Sequence, residues 1–186
     1  KISKNHNVIT QNFSQKDYYF LIGKDQRLLK KLSIKELENS HYNKLPIISG
    51  LKKQPLTIGS ILNSTVIDRG LVFLETYKKM FQRSKESEKI NLYEEQSKIV
   101  ELQSKQIHVD ISDPLNLKIS WYDNIYGFKI DSPNYLHTLT PSIQMGSRYF
   151  GKRLRTFSNI LAVIDNKHPR LKSIDLRYNN KIMLIP

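Results

Sequence analysis

The chain has 186 residues, carries a formal net charge of +13 at pH 7 and contains no cysteine. Its length suits one large domain or one domain with appendages, and the absence of cysteine excludes disulfides, thiol catalysis and cysteine-ligated metal sites. No stretch reaches the roughly 18 apolar residues of a membrane span, and no signal-peptide core is present. The sequence begins at Lys1, so we expect it to be a segment of a longer protein whose anchor lies upstream.

The first predicted element is a β-hairpin. Residues 1–16 are mostly polar and are interpreted as a weak strand or a loose lead-in. Residues 17–22 (DYYFLI) are aromatic and apolar, residues 23–26 (GKDQ) are typical of a turn, and an apolar segment resumes after the turn. Farther along, the sequence LPIISG at 45–50 contains Pro46. Because proline has no backbone donor for a central strand, we expect an edge strand or the beginning of a turn there.

Two helical segments are predicted in the middle of the chain, after a short polar connection at 33–42. From about Asp68, apolar residues recur every three or four positions, namely Leu71, Leu74, Tyr77 and Phe81. Residues 83–105 carry many charges of both signs and only a thin apolar stripe. That composition is typical of an exposed helical insertion held by charge pairs.

The period of the apolar pattern then switches to two. Residues 107–111 and 115–121 alternate apolar and polar side chains, and 126–130 follows after another turn. These three strands, joined by short turns, predict an antiparallel meander with Trp121 in the core. The proline-containing stretch 132–146 is interpreted as a loop.

The most regular helical pattern comes next. Its apolar residues step by four, three, four and three positions: Phe150, Leu154, Phe157, Leu161 and Ile164. This stripe predicts a helix packed on the sheet, with Ser147 as its candidate N-cap.

The last stretch, 174–182, predicts a strand that continues into 183–185. Three residues fall on one face at a period of two, namely Ile174, Leu176 and Tyr178. Asp175 and Arg177 fall on the other face. Asn179-Asn180 is capable of a turn but could also be a bulge. A strand this close to a terminus often finishes a sheet, and it can lie at the sheet edge with backbone groups free to pair with another chain.

Four motifs therefore stand in a fixed order along the chain. They are DYYFLIGKDQRLL at 17–29, LPIISG at 45–50, KRLRTFSNIL at 152–161 and IDLRY at 174–178. In kind and order they resemble the extracytoplasmic β domain of the FtsQ/DivIB family of bacterial cell-division proteins, over about residues 17–182. The resemblance implies an α+β fold in which a largely antiparallel or mixed sheet packs against helices.

The same resemblance implies a domain organisation. The β domain would cover 17–186, with a charged helical insertion at about 83–105, and 1–16 would be a lead-in or the remnant of a preceding POTRA domain. The chain departs from the family pattern in four ways. The segments 83–105 and 132–146 are longer than expected, Gln26 stands where the family usually has glycine, and no aromatic residue follows the final strand.

Members of this family are single-pass membrane proteins of the divisome and act as scaffolds, not enzymes. The resemblance implies an extracytoplasmic domain, anchored by one upstream membrane span, that recruits FtsB/DivIC-like and FtsL-like partners regulating septal peptidoglycan synthesis. A partner segment adds as a strand at the C-terminal edge of the β domain. Arg177 and Tyr178 match family positions in that surface, while Asn180, Ile182 and Leu184 match only by location. No cofactor or metal is implied.

Charge allows a second interpretation. Basic residues dominate positions 148–181, namely Arg148, Lys152, Arg153, Arg155, Lys167, Arg170, Lys172, Arg177 and Lys181, against Asp165 and Asp175. Such a field would steer an acidic partner segment, or it is a solvated face enriched in lysine by coding bias. The net charge of +13, with ten Tyr and seven Phe, also fits a basic nucleic-acid-binding module. Against that module, the aromatic residues occupy apolar positions of strands and helices, and no RNP-like motif is present.

Two further alternatives remain open at this point. The chain could be a fragment of a surface lipoprotein or secreted adhesin, and the last strand could be a buried strand without any partner. Enzymatic function is not predicted, because the five histidines are scattered and no GxSxG, P-loop or paired-carboxylate setting is found.

Overall fold

The fold was described from a computed structural model, which defines residues 8–11, 18–51, 55–86, 105–122, 141–167, 171–178 and 181–186. Within these residues nine strands form one mixed sheet, and three α-helices pack against it. The fold is therefore α+β, as the sequence predicts. None of the described helices is long and apolar enough to span a membrane.

The strands are β1 (Val8–Gln11), β2 (Tyr18–Ile22), β3 (Leu28–Ser33), β4 (Ile47–Ser49), β5 (Gln106–Asp113), β6 (Asn116–Tyr122), β7 (Ser142–Gly146), β8 (Ser173–Asp175) and β9 (Met183–Ile185). Their order in the sheet is β3-β2-β1-β4-β5-β6-β7-β8-β9. The pairs β1–β4, β4–β5 and β7–β8 are parallel, and the other five are antiparallel.

The helices are α1 (Ile34–Glu38), α2 (Thr65–Glu86) and α3 (Phe150–Lys167), with a short 3-10 helix at His41–Lys44. Helices α2 and α3 share one buried cluster with the sheet, in which Phe73 of α2 meets Phe150 of α3 at a ring-centroid distance of 5.5 Å. A second, smaller cluster holds Leu37 of α1 against Tyr19 and Leu21 of β2. The second face of the sheet is thus covered around β2, β3 and β4.

The hairpin predicted from residue 17 onwards is confirmed. Strands β2 and β3 pair antiparallel, and the turn is closed by hydrogen bonds from Gly23 N–H to Arg27 O at 2.9 Å and from Gln26 N–H to Gly23 O at 3.0 Å. Gln26 has a φ of 61°. The left-handed conformation explains why glycine is favoured at that turn position.

Two expectations for the first half were wrong. Residues Ile34–Glu38 form a helix rather than a polar connection, because Ser33 and Glu36 form a capping box at its N-terminus. The strand Ile47–Ser49 lies between β1 and β5, not at an edge. Pro46 precedes the first residue of that strand, so the missing donor does not interrupt the pairing.

The prediction for the β-meander is confirmed for its first two strands, since β5 and β6 pair antiparallel over Gln106–Tyr122. The predicted third strand at 126–130 lies outside the described residues, and so does most of the charged insertion at 83–105. The assignment of 132–146 as loop was wrong at its end, because Ser142–Gly146 forms β7 against β6.

The last predicted helix is confirmed as α3. All five residues of its apolar stripe are buried. Trp121 is also buried and stacks on Phe157 with a ring-centroid distance of 5.5 Å and an interplanar angle of 11°. The suggested cap at Ser147 was wrong, because α3 begins at Phe150.

Near the C-terminus the prediction of one continuous strand over 174–182 was wrong. Strand β8 ends at Asp175, and β9 turns back to pair with it antiparallel. As predicted, Ile174 and Leu176 are buried, and Arg177 and Tyr178 are exposed. Asp175 is also buried, although the alternation placed it on the face opposite Ile174. Because β8 ends at Asp175, the alternation does not continue to Tyr178.

Candidate functional site

Strand β9 forms one outer edge of the sheet. It pairs with β8 through three residue pairs, Ser173–Ile185, Ile174–Leu184 and Asp175–Met183. No other strand among the described residues pairs with it. An outer strand presents a row of backbone donors and acceptors on its free side, and another extended chain can pair with them.

The side chains of β9 separate into one anchor and two exposed residues. Leu184 is half-buried and packs against the main core cluster. Met183 and Ile185 are 47% and 37% exposed. The strand contains no charge, so it lacks the charged residues that commonly protect sheet edges from pairing.

Asp175 and Arg177 brace the end of β8. The Asp175 side chain is buried and accepts hydrogen bonds from Arg177 Nη2 at 2.6 Å and from the Arg177 backbone N–H at 2.9 Å. Burial acts to raise the pKa of the Asp175 carboxyl, but the hydrogen bonds and charge of Arg177 outweigh burial and hold that pKa below its ordinary value. Asp175 is therefore ionised at neutral pH, and much of the charge of Arg177 is compensated within the fold.

Arg153 joins three backbone segments around this edge. Its guanidinium donates to the carbonyls of Met145, Arg148 (2.8 Å) and Arg177 (2.8 Å). It lies against Gly146, which has a φ of +66° and no Cβ that would obstruct the guanidinium. Arg153 thus ties the end of β7 and the start of α3 to the segment that leads from β8 to β9.

A groove of about 300 Å³ opens between α3 and the segment preceding β9. Its lining residues are Tyr149, Lys152, Arg153, Thr156, Leu176, Tyr178, Lys181 and Ile182. Tyr149 and Tyr178 are 66% and 52% exposed. The groove therefore combines aromatic surface with three cationic side chains, and none of the described residues that line it is acidic.

The structure brings some of the predicted partner-binding residues together. Tyr178 and Ile182 both line the groove, Arg177 lies beside it but holds Asp175, and Leu184 anchors β9. Asn180 lies outside the described residues.

Sequence reasoning missed the contribution of Tyr149 to this site, and it named Lys152 only as one of the basic residues at 148–181. Lys152 is the first residue of the KRL motif, so its place in the helix was signalled but its proximity to the C-terminal edge was not. Tyr149 has a φ of 59° just before α3, and no sequence pattern indicated that conformation.

The described part of the chain offers few groups for metal binding or for stacking on nucleic-acid bases. No group of three or more His, Asp or Glu side chains there could hold a metal ion. Six of the large aromatic side chains of β2, α2, β6 and α3 are buried in the clusters of the core, namely Tyr19, Phe20, Phe73, Trp121, Phe150 and Phe157. These rings are therefore not available for stacking on bases.

A scan against protein-family models finds no match for this chain, and a search of curated proteins finds no significant match either.

Proposed function

We propose that this chain is a non-enzymatic scaffold of the bacterial divisome with an FtsQ/DivIB-type β domain. In this proposal it binds an FtsB/DivIC-like segment, and through it an FtsL-like partner, by strand addition at β9. It acts outside the cytoplasm, held by one membrane span upstream, and thereby helps to regulate septal peptidoglycan synthesis. A basic nucleic-acid-binding module is the alternative against which the proposal is tested.

The observation that carries the proposal is the position of β9. The IDLRY motif leads directly into the segment before β9, and β9 has no described strand on its outer side. Strand addition takes its affinity from backbone hydrogen bonds and its specificity from side chains beside the strand. Because β9 has only three residues, the few backbone bonds must be supplemented by side-chain contacts, and Tyr178 and Ile182 offer exposed apolar surface next to it.

Binding to the C-terminal segment of an FtsB/DivIC-like protein tests the proposal. We expect deletion of 183–186 to abolish binding in a pull-down or by calorimetry, since both the outer backbone edge and the two exposed side chains are removed. We expect Tyr178→Ala to weaken binding at least tenfold, because an aromatic anchor at an interface commonly contributes 2 kcal/mol or more.

The chain offers a matched control in Tyr18, a second exposed tyrosine with a cation over its ring. Lys31 Nζ lies 3.7 Å from the Tyr18 ring centroid, while the guanidinium of Arg177 lies 5.9 Å from that of Tyr178. Tyr18→Ala should leave binding unchanged. Unchanged binding after deletion of β9 would sink the proposal, and tight, steeply salt-dependent binding of DNA or RNA would favour the alternative.

A further inference from the structure

The groove beside β9 contains cations of two kinds. Arg153 lines it and donates three hydrogen bonds to backbone carbonyls, which hold its guanidinium in place. Arg177, beside the groove, is held by the buried Asp175. Lys152 and Lys181 are exposed, and neither takes part in a salt bridge among the described residues. Their ammonium groups are therefore the cations of the groove that can turn towards a ligand, while Arg153 adds to the positive field from a fixed position.

The groove is also continuous with the pairing edge. Ile182 lines it and is the residue immediately before Met183, where β9 begins. Any strand that adds along β9 thus has one of its ends next to the groove. The next residues of that partner segment would lie between the rings of Tyr149 and Tyr178 and close to Lys152 and Lys181.

We propose that Lys152 and Lys181 bind a carboxylate of the partner, carried by an acidic residue directly flanking the strand that adds to β9. This inference rests on the proposed function and deepens it, because it assigns the charge of the partner and the cations that recognise it. Arg153 and Arg177 are positioning residues, which hold the walls of the groove through carbonyls and Asp175. The groove is small, about 300 Å³, and this suits an acidic side chain with its neighbour rather than a run of nucleotides.

A titration of the full 186-residue chain with a minimal acidic probe tests this site separately from strand addition. The probes are acetyl-tetraglutamate and its neutral match, acetyl-tetraglutamine, and the readout is the amide shifts in a two-dimensional NMR spectrum. We expect the glutamate peptide to shift the amides around Lys152, Tyr178 and Lys181. The glutamine peptide should leave them unchanged, because no charge is then available to the lysines.

Charge-removing variants localise the effect. The double variant Lys152→Gln, Lys181→Gln should weaken tetraglutamate binding at least tenfold, and added salt should do the same. Arg155→Gln is the matched control, because Arg155 is exposed on the same helix but does not line the groove; it should change binding less than twofold. Equal binding by the double variant, or shifts spread evenly over the basic surface, overturns the proposal. So does an oligothymidine that shifts the same amides at lower concentration than tetraglutamate.

The two proposals fail in different ways. If strand addition is wrong, the partner segment does not bind, but tetraglutamate still does. If the groove assignment is wrong, deletion of 183–186 still abolishes partner binding, but the double lysine variant binds both the partner and tetraglutamate as well as the original chain does.

Discussion

The two outer strands of the sheet, β3 and β9, differ in every feature that controls pairing with another chain. Strand β3 has six residues and exposes Lys30 and Lys31, and its register with β2 shifts between Leu21 and Ile22. Its first residue is covered by a loop, since Leu28 N–H donates to Ser60 O at 2.9 Å and Leu28 O accepts from Gly59 N–H at 2.8 Å. Strand β9 has three uncharged residues and no such cover among the described residues.

The two edges of this sheet differ in how well they are protected from pairing with another chain. Lysines, irregular register and covering loops are the means by which sheet edges avoid unwanted pairing, and β3 combines all three. The same sheet therefore has one edge at which pairing is opposed and one at which it is allowed. If neither edge had a role in pairing, we would expect β3 and β9 to carry similar protection.

The largest effect on stability is expected at β5, the central strand of the sheet order. His108 of β5 lies 2.7 Å from Ser49 Oγ through Nε2, and its ring lies 5.9 Å from that of Tyr122. Burial lowers the pKa of His108 to about 4, against the opposing charge of Asp110. The unfolded chain binds a proton near pH 6.5 that the folded chain does not bind until about pH 4. The free energy of unfolding should therefore fall by about 3 kcal/mol as the pH drops through that window.

Chemical denaturation at a series of pH values measures this loss. His108→Gln keeps a polar group near Ser49 but cannot titrate, so its stability should vary much less between pH 6.5 and 4. Hydrogen exchange should report the loss at β3 and β9 alike. A loss confined to one edge would show that the two edges are not supported by the same central strands.

A smaller effect, confined to the β9 side, is expected from Gly146→Ala. The added methyl group meets the Arg153 guanidinium, and the φ of +66° is unfavourable for alanine. We expect a loss of about 1–3 kcal/mol, with faster amide exchange in β8 and β9 and unchanged exchange in β2 and β3.

Gly59→Ala is the matched control for that substitution. Gly59 also has a positive φ, +89°, but nothing lies within 4 Å of its added Cβ, so only backbone strain remains. If both variants cost the same and affect the same amides, Arg153 does not organise the C-terminal edge.

The smallest effect on stability, but a decisive one for pairing, is expected from exchanging the character of the two edges. Met183→Lys with Ile185→Lys would give β9 the charges of β3, and Lys30→Val with Lys31→Val would remove them from β3. Because all four side chains are exposed, each pair should change the free energy of unfolding by only about 0.5 kcal/mol. The first pair should abolish partner binding, and the second should promote self-association in sedimentation experiments. Retained partner binding by the first pair would contradict the proposed role of β9.

Local patterns predicted the local parts of this fold. The stripe from Phe150 to Ile164 identified α3, because the periodicity of a helix is apparent from residues that are close in the sequence. The hairpin β2–β3 was indicated by its turn residues. Helix α1 was missed although Ser33 and Glu36 carry the capping box, because its five residues are too few for an apolar stripe.

Pairings between distant residues could not be predicted. The parallel neighbours of β4 depend on β1 and β5, which lie tens of residues away, and Pro46 alone suggested an edge. The antiparallel pair β8–β9 was missed because Asn179-Asn180, although capable of a turn, also fits a bulge within one strand, and apolar residues lie on both sides of it. In the candidate site, Tyr178 and Ile182 were named from the family resemblance. Lys152 was named only as one of many basic residues, because its place beside the last strand depends on the packing of α3.

The parallel pairing of β7 with β8 also bears on how the C-terminal edge assembles. Parallel neighbours require a crossover, and here α3 provides it. Closing such a non-local contact is slow, whereas β9 joins β8 through a short local connection. We therefore expect the docking of β8 on β7, rather than the pairing of β9 with β8, to limit the rate at which the edge is completed.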